Sequence, residues 1–376
     1  MGEEAQREAR GRTWADIDLA ALARNYRAIR ARATGKRVIA VVKANAYGHG
    51  AVLVARALVD EGCDAFAVIS VEEAAELRAA RISAPVLVLG GVQSAAEADT
   101  ALSLDVEPVV SRVEALDWLA AAAARAGRAC RFQLEFDTGM GRLGVLPDEV
   151  PAFLSRVARA KGVRLSGVMS HLARADDASS SETARQRKLF AELVSRVRAS
   201  GFSLDWTHMD NSAGVMRGTT DGCDAIRPGI SLYGVDPTLE GGHAGEPVMS
   251  LCARVVHAKI VPAGTAIGYA GEFRAAERTR ILTLAIGYAD GLPRAAGGRA
   301  TVGLRGRRAP LVGRVSCDLA TVAVAPDDPS AAGDVALVFG RRDGFAVPVE
   351  DLARAVGTIS YEVLARIGPR VPRLAT

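Results

Sequence analysis

Between residues 37 and 234 short apolar runs alternate with longer stretches whose apolar residues recur at helical spacing. The runs fall at 38–42, 65–69, 85–89, 108–110, 132–136, 165–169, 226–232 and, more weakly, 206–209. Each is apolar at nearly every position, the pattern of strands covered on both faces, as in a parallel sheet. The stretches between them, 71–80 and 181–200 for example, are rich in Ala, Arg and Glu with charge on one side, and predict amphipathic helices. Eight strand-then-helix units of roughly 25–30 residues fit a (β/α)8 TIM-type barrel. A doubly wound open sheet is the competing arrangement. Such a sheet carries a Gly-rich dinucleotide loop after its first strand, and Lys43-Ala44-Asn45-Ala46 is not one.

Past Gly234 the pattern changes. Residues 237–246 (PTLEGGHAGE) are Gly-rich and polar, as a linker is. Beyond them, β-branched segments at 253–261, 280–286, 311–315 and 334–339 are separated by Gly and Pro turns, which predicts a mostly antiparallel β domain. Residues 349–355 and 361–367 read as short terminal helices. The chain is therefore expected to be α/β, with a charged tail over 1–12, a barrel over 13–240 and a C-terminal β domain over 241–376.

Composition narrows the class. Of 376 residues, 49% are hydrophobic and 24% charged, and the net charge is only +4, which excludes a mainly disordered chain. No apolar run approaches the ~20 residues that span a bilayer. The first dozen residues are charged and lack the apolar centre of a secretory signal, so the expected location is the cytoplasm. Five scattered cysteines without C-x-x-C spacing read as buried thiols of a reducing compartment, with no metal site. Arginine is spread along the chain with no basic, aromatic-interleaved stripe, so no nucleic-acid partner is expected.

Lys43 closes the first barrel strand at its C-terminal end, the rim where active sites of this fold lie. Desolvation there lowers an amine's pKa and frees it for nucleophilic chemistry; the alternative is a solvated strand-end lysine. Tyr47 and Gly48-His49-Gly50 follow, a permissive loop through which backbone can approach a ligand.

The string RVIAVVKANAYGHG (37–50) resembles the pyridoxal-phosphate attachment motif of the alanine racemase family, and the resemblance runs along nearly the whole chain. Its further landmarks, in order, are DTGMGRLG (137–144), SHLARAD (170–176), HMDNSAG (208–214), RPGISLYG (227–234), GYADG (287–291), GRVSCD (313–318) and ISYE (359–362). The resemblance implies a barrel followed by a β domain, the cofactor pyridoxal 5'-phosphate, and racemisation of L- and D-alanine to supply D-alanine for peptidoglycan. It also implies a homodimer in which the β domain of one subunit closes the barrel of another.

The same resemblance assigns roles. Lys43 holds the cofactor and serves one face of the substrate, and Tyr269 serves the other with His171 and Arg227 in line behind it. Arg227 faces the pyridine nitrogen, and a guanidinium that keeps its proton favours proton return over transamination. Tyr47, Ser212, the amides around Gly229 and Ile230, and Tyr361 match the phosphate ligands; Ser212 read by itself is also an ordinary helix N-cap. Arg142 matches the partner of the substrate carboxylate. Tyr288 and Tyr361 narrow the approach, with Asp176, Arg294 and Arg314 further out.

Three departures stand out. Glu135 occupies the position of a carbamylated lysine, and the expectation is that its carboxylate orients Arg142 directly. Gly268-Tyr269-Ala270 replaces Ser-Tyr-Gly. Ser316-Cys317-Asp318 replaces Cys-Met-Asp, with the Cys317 amide supplying the same N–H beside Asp318. The neighbouring readings are a serine or broad-specificity amino acid racemase and a non-catalytic cofactor carrier. A carrier would have no use for Tyr269 or Arg142.

Overall fold

The computed structural model describes residues 11–218, 222–238 and 245–376, in two compact units. One unit comprises 22–46 and 51–246. The other gathers residues 11–21, 47–50 and 247–376.

The first unit is a closed barrel of eight parallel strands, taken in chain order. After a short strand β1 (Thr13–Ile17), these are β2 (Arg37–Val41), β3 (Ala65–Val68), β4 (Val86–Val88), β5 (Glu107–Val110), β6 (Cys130–Glu135), β7 (Val163–Met169), β8 (Trp206–His208) and β9 (Ala225–Ile226). The barrel closes where Arg37 and Val38 pair in parallel with Ala225 and Ile226. Each of the eight predicted runs contains a barrel strand, and β2 to β5 are buried at nearly every position, which is why they read as unbroken apolar segments. The last run is mostly not strand. Pro228 follows β9 and has no N–H for a ladder, and the chain turns into a short 3-10 segment, Ile230–Tyr233. Helices Val71–Ala79 and Ala95–Ser103 begin where Ser70 and Ser94 accept the amide of Glu73 and Glu97.

The second unit is built on a nine-stranded sheet. Its strands are β10 (Met249–Val261), β13 (Thr279–Leu284), β14 (Thr301–Leu304), β15 (Arg307–Val312), β16 (Ala320–Val324), β17 (Val335–Arg342), β18 (Phe345–Val347) and β19 (Arg373–Ala375), with β1 among them. Strands β11 (Ala266–Ile267) and β12 (Phe273–Arg274) form a separate ribbon. The pairings are antiparallel except that of β1 with β19. The terminal helices are Val349–Val356 and Ser360–Ala365.

One assignment changes. Residues 13–17, expected within the barrel domain, pair with β10 in the register Thr13↔Ala253 to Ile17↔Met249. Trp14 is fully buried and packs with Cys252, Leu337 and Val347. A strand followed by the helix Leu19–Arg32 looks locally like any strand–helix unit, and only its distant partner distinguishes it. Residues 1–10 of the charged tail and 239–244 of the linker lie outside the described residues. Among the described residues no helix is long and apolar enough to cross a membrane, and no group of His, Cys, Asp or Glu is placed to hold a metal ion.

Candidate active site

The lysine sits at the start of an unusual turn. Directly after Lys43, Ala44, Asn45, Ala46 and Tyr47 all have φ between 48° and 55°. Left-handed backbone costs a non-glycine residue about 1–2 kcal/mol, so four in a row need outside support. Glu73 supplies part of it: its carboxylate accepts the amides of Ala44 and Ile69, each at 2.8 Å. Asn45 Oδ1 accepts the Ala51 amide at 2.8 Å, tying the turn to the next helix. The turn aims the Lys43 amine at a cationic neighbourhood. Burial first, then the charges of Arg142 and Arg227, push its pKa below the ordinary lysine range, and Glu73 opposes them.

Around Lys43 the strand ends assemble the rest of the barrel group. Glu135 ends β6 as a buried carboxyl whose pKa is raised by desolvation, with Arg227 and Arg142 pulling it back. Arg142 lies exposed in the loop after β6. Arg227, 3% exposed, follows β9; its Nη2 donates to Ser170 O at 2.6 Å and approaches His171 Nδ1 at 3.4 Å, while Nη1 meets His208 Nδ1. Burial lowers the Arg227 pKa to about 10, with Glu135 and Asp210 opposing, which leaves it cationic at neutral pH. Desolvation and the charges of Arg227, Arg142 and Lys43 drive His171 down to about 3, so its ring is neutral. Gln186 holds this loop by donating to His171 O at 2.9 Å.

A donor cluster lies beyond β8 and β9. The N-cap of helix Ser212–Met216 is Asn211, whose side chain accepts from Gly214, so Ser212 is released from capping. Its buried hydroxyl instead receives Gly229 N–H at 2.9 Å, Ser231 N–H at 3.2 Å and a contact with Ser231 Oγ at 3.0 Å. Amides and hydroxyls converging on one point, with Ile230 between them, are the donor set a phosphate group shares. The buried Arg227 and the desolvated Lys43 add the positive field that a polyanionic aldehyde cofactor needs, so the residues present fit pyridoxal phosphate.

The other predicted residues belong to the β unit. Tyr269 opens a short 3-10 turn bounded by Gly268 at φ 73° and is 70% exposed. It lines a hollow with Thr283, Arg314, Ser316 and Leu319, and Arg314 pairs with Glu272. Tyr288, 49% exposed, sits on a turn that docks on the Cys317 loop: Tyr288 N–H donates to Ser316 O at 3.1 Å and Ala289 N–H to Cys317 O at 3.0 Å. Cys317 is exposed. Arg370 donates to Asp318 at 2.5 Å and to the buried Asp290 at 2.7 Å, joining the two segments and holding the Asp318 carboxyl below its usual range. Tyr47 and Tyr361 meet edge to face, ring centroids 5.9 Å apart.

Sequence reasoning missed several supporting groups: Glu73 beneath the lysine turn, Arg370 and Asp290 behind Tyr288, and the buried His208. Asp290 and His208 stood inside quoted motifs (GYADG and HMDNSAG), which was the available signal. Glu73 had none beyond a capping pattern, Ser70-x-x-Glu73.

Fold and rim together describe a parallel eight-stranded barrel that carries a desolvated lysine amine and a cluster of hydrogen-bond donors at its strand ends. Comparison with known proteins makes the class specific. The alanine racemase N-terminal domain matches residues 17–237 and the alanine racemase C-terminal domain residues 248–375. An alanine racemase of Desulforamulus reducens is 38% identical over 96% of this chain and 98% of its own length. Among solved structures, the alanine racemase of D-cycloserine-producing Streptomyces lavendulae superposes with a TM-score of 0.93 at 36% identity, covering 97% of each chain. That of Bartonella henselae, with covalently bound pyridoxal phosphate, gives 0.86 at 30% identity, covering 97% of this chain and 100% of the other. The chain belongs to the alanine racemase family. It is an isomerase that interconverts L- and D-alanine with pyridoxal phosphate as cofactor.

Proposed function

We propose that Lys43 and Tyr269 are the two proton-transfer groups, and that Lys43 also holds the cofactor. Inverting an α-carbon means taking its hydrogen from one face and returning one to the other, which calls for a group on each side. The observation that carries the reading is the desolvated amine of Lys43 at the strand end. Its lowered pKa brings the neutral form, both nucleophile and base, closer to physiological pH. Pyridoxal phosphate, when bound, supplies the electron sink for the charge left at the α-carbon.

The remaining residues bind and orient. Arg227 offers the ring nitrogen an N–H and keeps the proton. Ser212, Gly229, Ile230, Tyr47 and Tyr361 hold the phosphate. The Arg142 fork takes the substrate carboxylate with Glu135 behind it, the Cys317 amide next to Asp318 adds a donor, and Tyr288 narrows the approach. Neutral His171 accepts from Arg227 on Nδ1, so its hydrogen is on Nε2, the donor required to ease a phenol toward phenolate. A second copy of the chain supplies Tyr269 in this reading. The exposure of Tyr269 and Tyr288, large rings left to solvent on the β unit, supports a homodimer with shared sites. All five cysteines are thiols, four of them buried, which supports a reducing, cytoplasmic setting in which D-alanine feeds peptidoglycan. The two enantiomers have equal free energy in water, so consumption downstream sets the direction.

The test is Lys43→Ala beside Tyr269→Phe, assayed with L-alanine, L-serine and deuterated solvent. Lys43→Ala abolishes the absorbance of lysine-linked cofactor. Tyr269→Phe keeps that band but loses racemisation by about 100-fold or more, the usual worth of a general acid–base group. A persisting band in the first variant, or near-normal racemisation in the second, removes the corresponding assignment.

A further inference from the structure

Behind Arg227 a buried polar chain crosses the barrel. His208 Nδ1 meets Arg227 Nη1, and His208 Nε2 lies 2.6 Å from Gln133 Oε1. Gln133 Nε2 donates to Glu107 Oε2 at 3.1 Å, Ser166 Oγ donates to the same oxygen at 2.8 Å, and Arg131 Nε pairs with Glu107 Oε1 at 3.2 Å. The members come from β5, β6, β7, β8 and the end of β9, and they run from the strand starts at Glu107 and Arg131 to the strand ends at Arg227. Glu107, Gln133, Ser166 and His208 are all buried. A polar chain of this kind inside a barrel core is costly unless every member is satisfied.

Donor and acceptor types allow one direction. A carboxylate paired with Arg131 only accepts, so Gln133 must turn its NH2 toward Glu107 and its carbonyl toward His208. A carbonyl at 2.6 Å requires a hydrogen on His208 Nε2. Burial, reinforced by Arg227 and Arg37, holds this imidazole far below its usual pKa, so the ring is neutral and has a single hydrogen. Nδ1 is then a bare acceptor for the guanidinium.

We propose that Glu107 and Gln133 are positioning residues for the racemisation: they select the Nε2–H tautomer of His208 and thereby fix the rotation of the Arg227 guanidinium. The proposal rests on the reading of Arg227 as partner of the ring nitrogen. In the other tautomer an Nδ1–H would confront the Arg227 N–H, donor against donor, and the guanidinium would turn away. Arg227 would then be held through Nη2 alone, by Ser170 O at 2.6 Å with His171 Nδ1 and Met209 O each at 3.4 Å, and the hydrogen bond offered at the ring nitrogen would lose its direction.

The experiment is 15N NMR of holoenzyme labelled on its five histidines, with His208 assigned by its loss in His208→Gln. The expected wild-type signature is a protonated Nε2 and a bare Nδ1. Gln133→Leu should yield a tautomer mixture, a shifted cofactor absorbance band, an alanine KM close to wild type and a kcat roughly tenfold lower, the kinetic equivalent of one misplaced buried hydrogen bond. Glu107→Gln preserves volume but adds a donor that lets the Gln133 amide flip; it should move the same signals in the same direction, and it serves where Gln133→Leu fails to fold. A wild-type Nδ1–H, or unchanged His208 signals and kcat in Glu107→Gln, overturns the proposal. Arg227→Lys separates the two layers. An unaltered kcat there overturns the ring-nitrogen reading, and the proposal with it, even when the His208 tautomer follows Gln133.

Discussion

At Glu135 a single side chain shows how environment sets chemistry. Burial raises its pKa, Arg227 and Arg142 lower it, and burial wins. A raised carboxyl pKa means protonation at a higher pH than usual. If Glu135 orients Arg142 as proposed, then as the pH falls it neutralises earlier than an ordinary carboxylate, Arg142 loses that charge, and the KM for alanine should rise. Glu135→Gln begins in that neutral state: its KM should be roughly fivefold higher at neutral pH, about 1 kcal/mol as for a partly screened ion pair, and flat as the pH falls. KM–pH profiles of the two proteins check this, and equal profiles would remove the orienting role. Lys43, Tyr47 and His49 were legible because they are neighbours in one motif. Gln133 and Glu107 were not, because each is an ordinary strand residue until its partner, 26 positions away, is known.

Elements matter here for the close approaches they permit. A Cβ on Gly287 would lie 2.2 Å from Cys317 O, 2.4 Å from Cys317 C and 2.4 Å from Ser316 O. All three are backbone atoms, so nothing flexible can yield. Gly287→Ala must separate the Tyr288 turn from the Cys317 loop, breaking the two amide hydrogen bonds between them, at a cost of about 2–3 kcal/mol. The expected outcome is a lower Tm in thermal denaturation with a raised KM. A wild-type Tm would show that the two segments part without penalty. Element type was well read for the eight barrel strands, whose continuous apolar runs have no other use. It failed after β9, where the run 226–232 stays apolar but Pro228 ends the ladder. It also could not foresee the left-handed turn after Lys43, since Ala44, Asn45 and Ala46 carry no glycine signal and the support comes in part from Glu73.

On the scale of the whole molecule, Lys43 and Tyr269 belong to different compact units. If the phenol acts in a partner's site, then Lys43→Ala and Tyr269→Phe chains complement each other. Each is inactive alone, yet a mixed dimer rebuilds one site from the intact lysine of one chain and the intact tyrosine of the other. Random subunit exchange makes half the dimers mixed, so the expected recovery is about a quarter of wild-type activity. No recovery after proven exchange would place both groups in one chain.

Period, spacing and motif order are local properties, written into the chain before it folds. They determined the barrel, the β-rich remainder, the rim position of Lys43 and the family to which the protein belongs. What required the tertiary structure was every feature whose energy depends on a distant partner. The N-terminal strand found its place because β10 and β19 offered it edges, and Trp14 a core to enter. Arg370 ties Asp290 to Asp318 across segments far apart in the chain. The tautomer of His208 follows from a carboxylate three barrel strands away. Burial and hydrogen-bond direction exist only once the strands close on one another, and those two quantities turn ordinary residues into working ones.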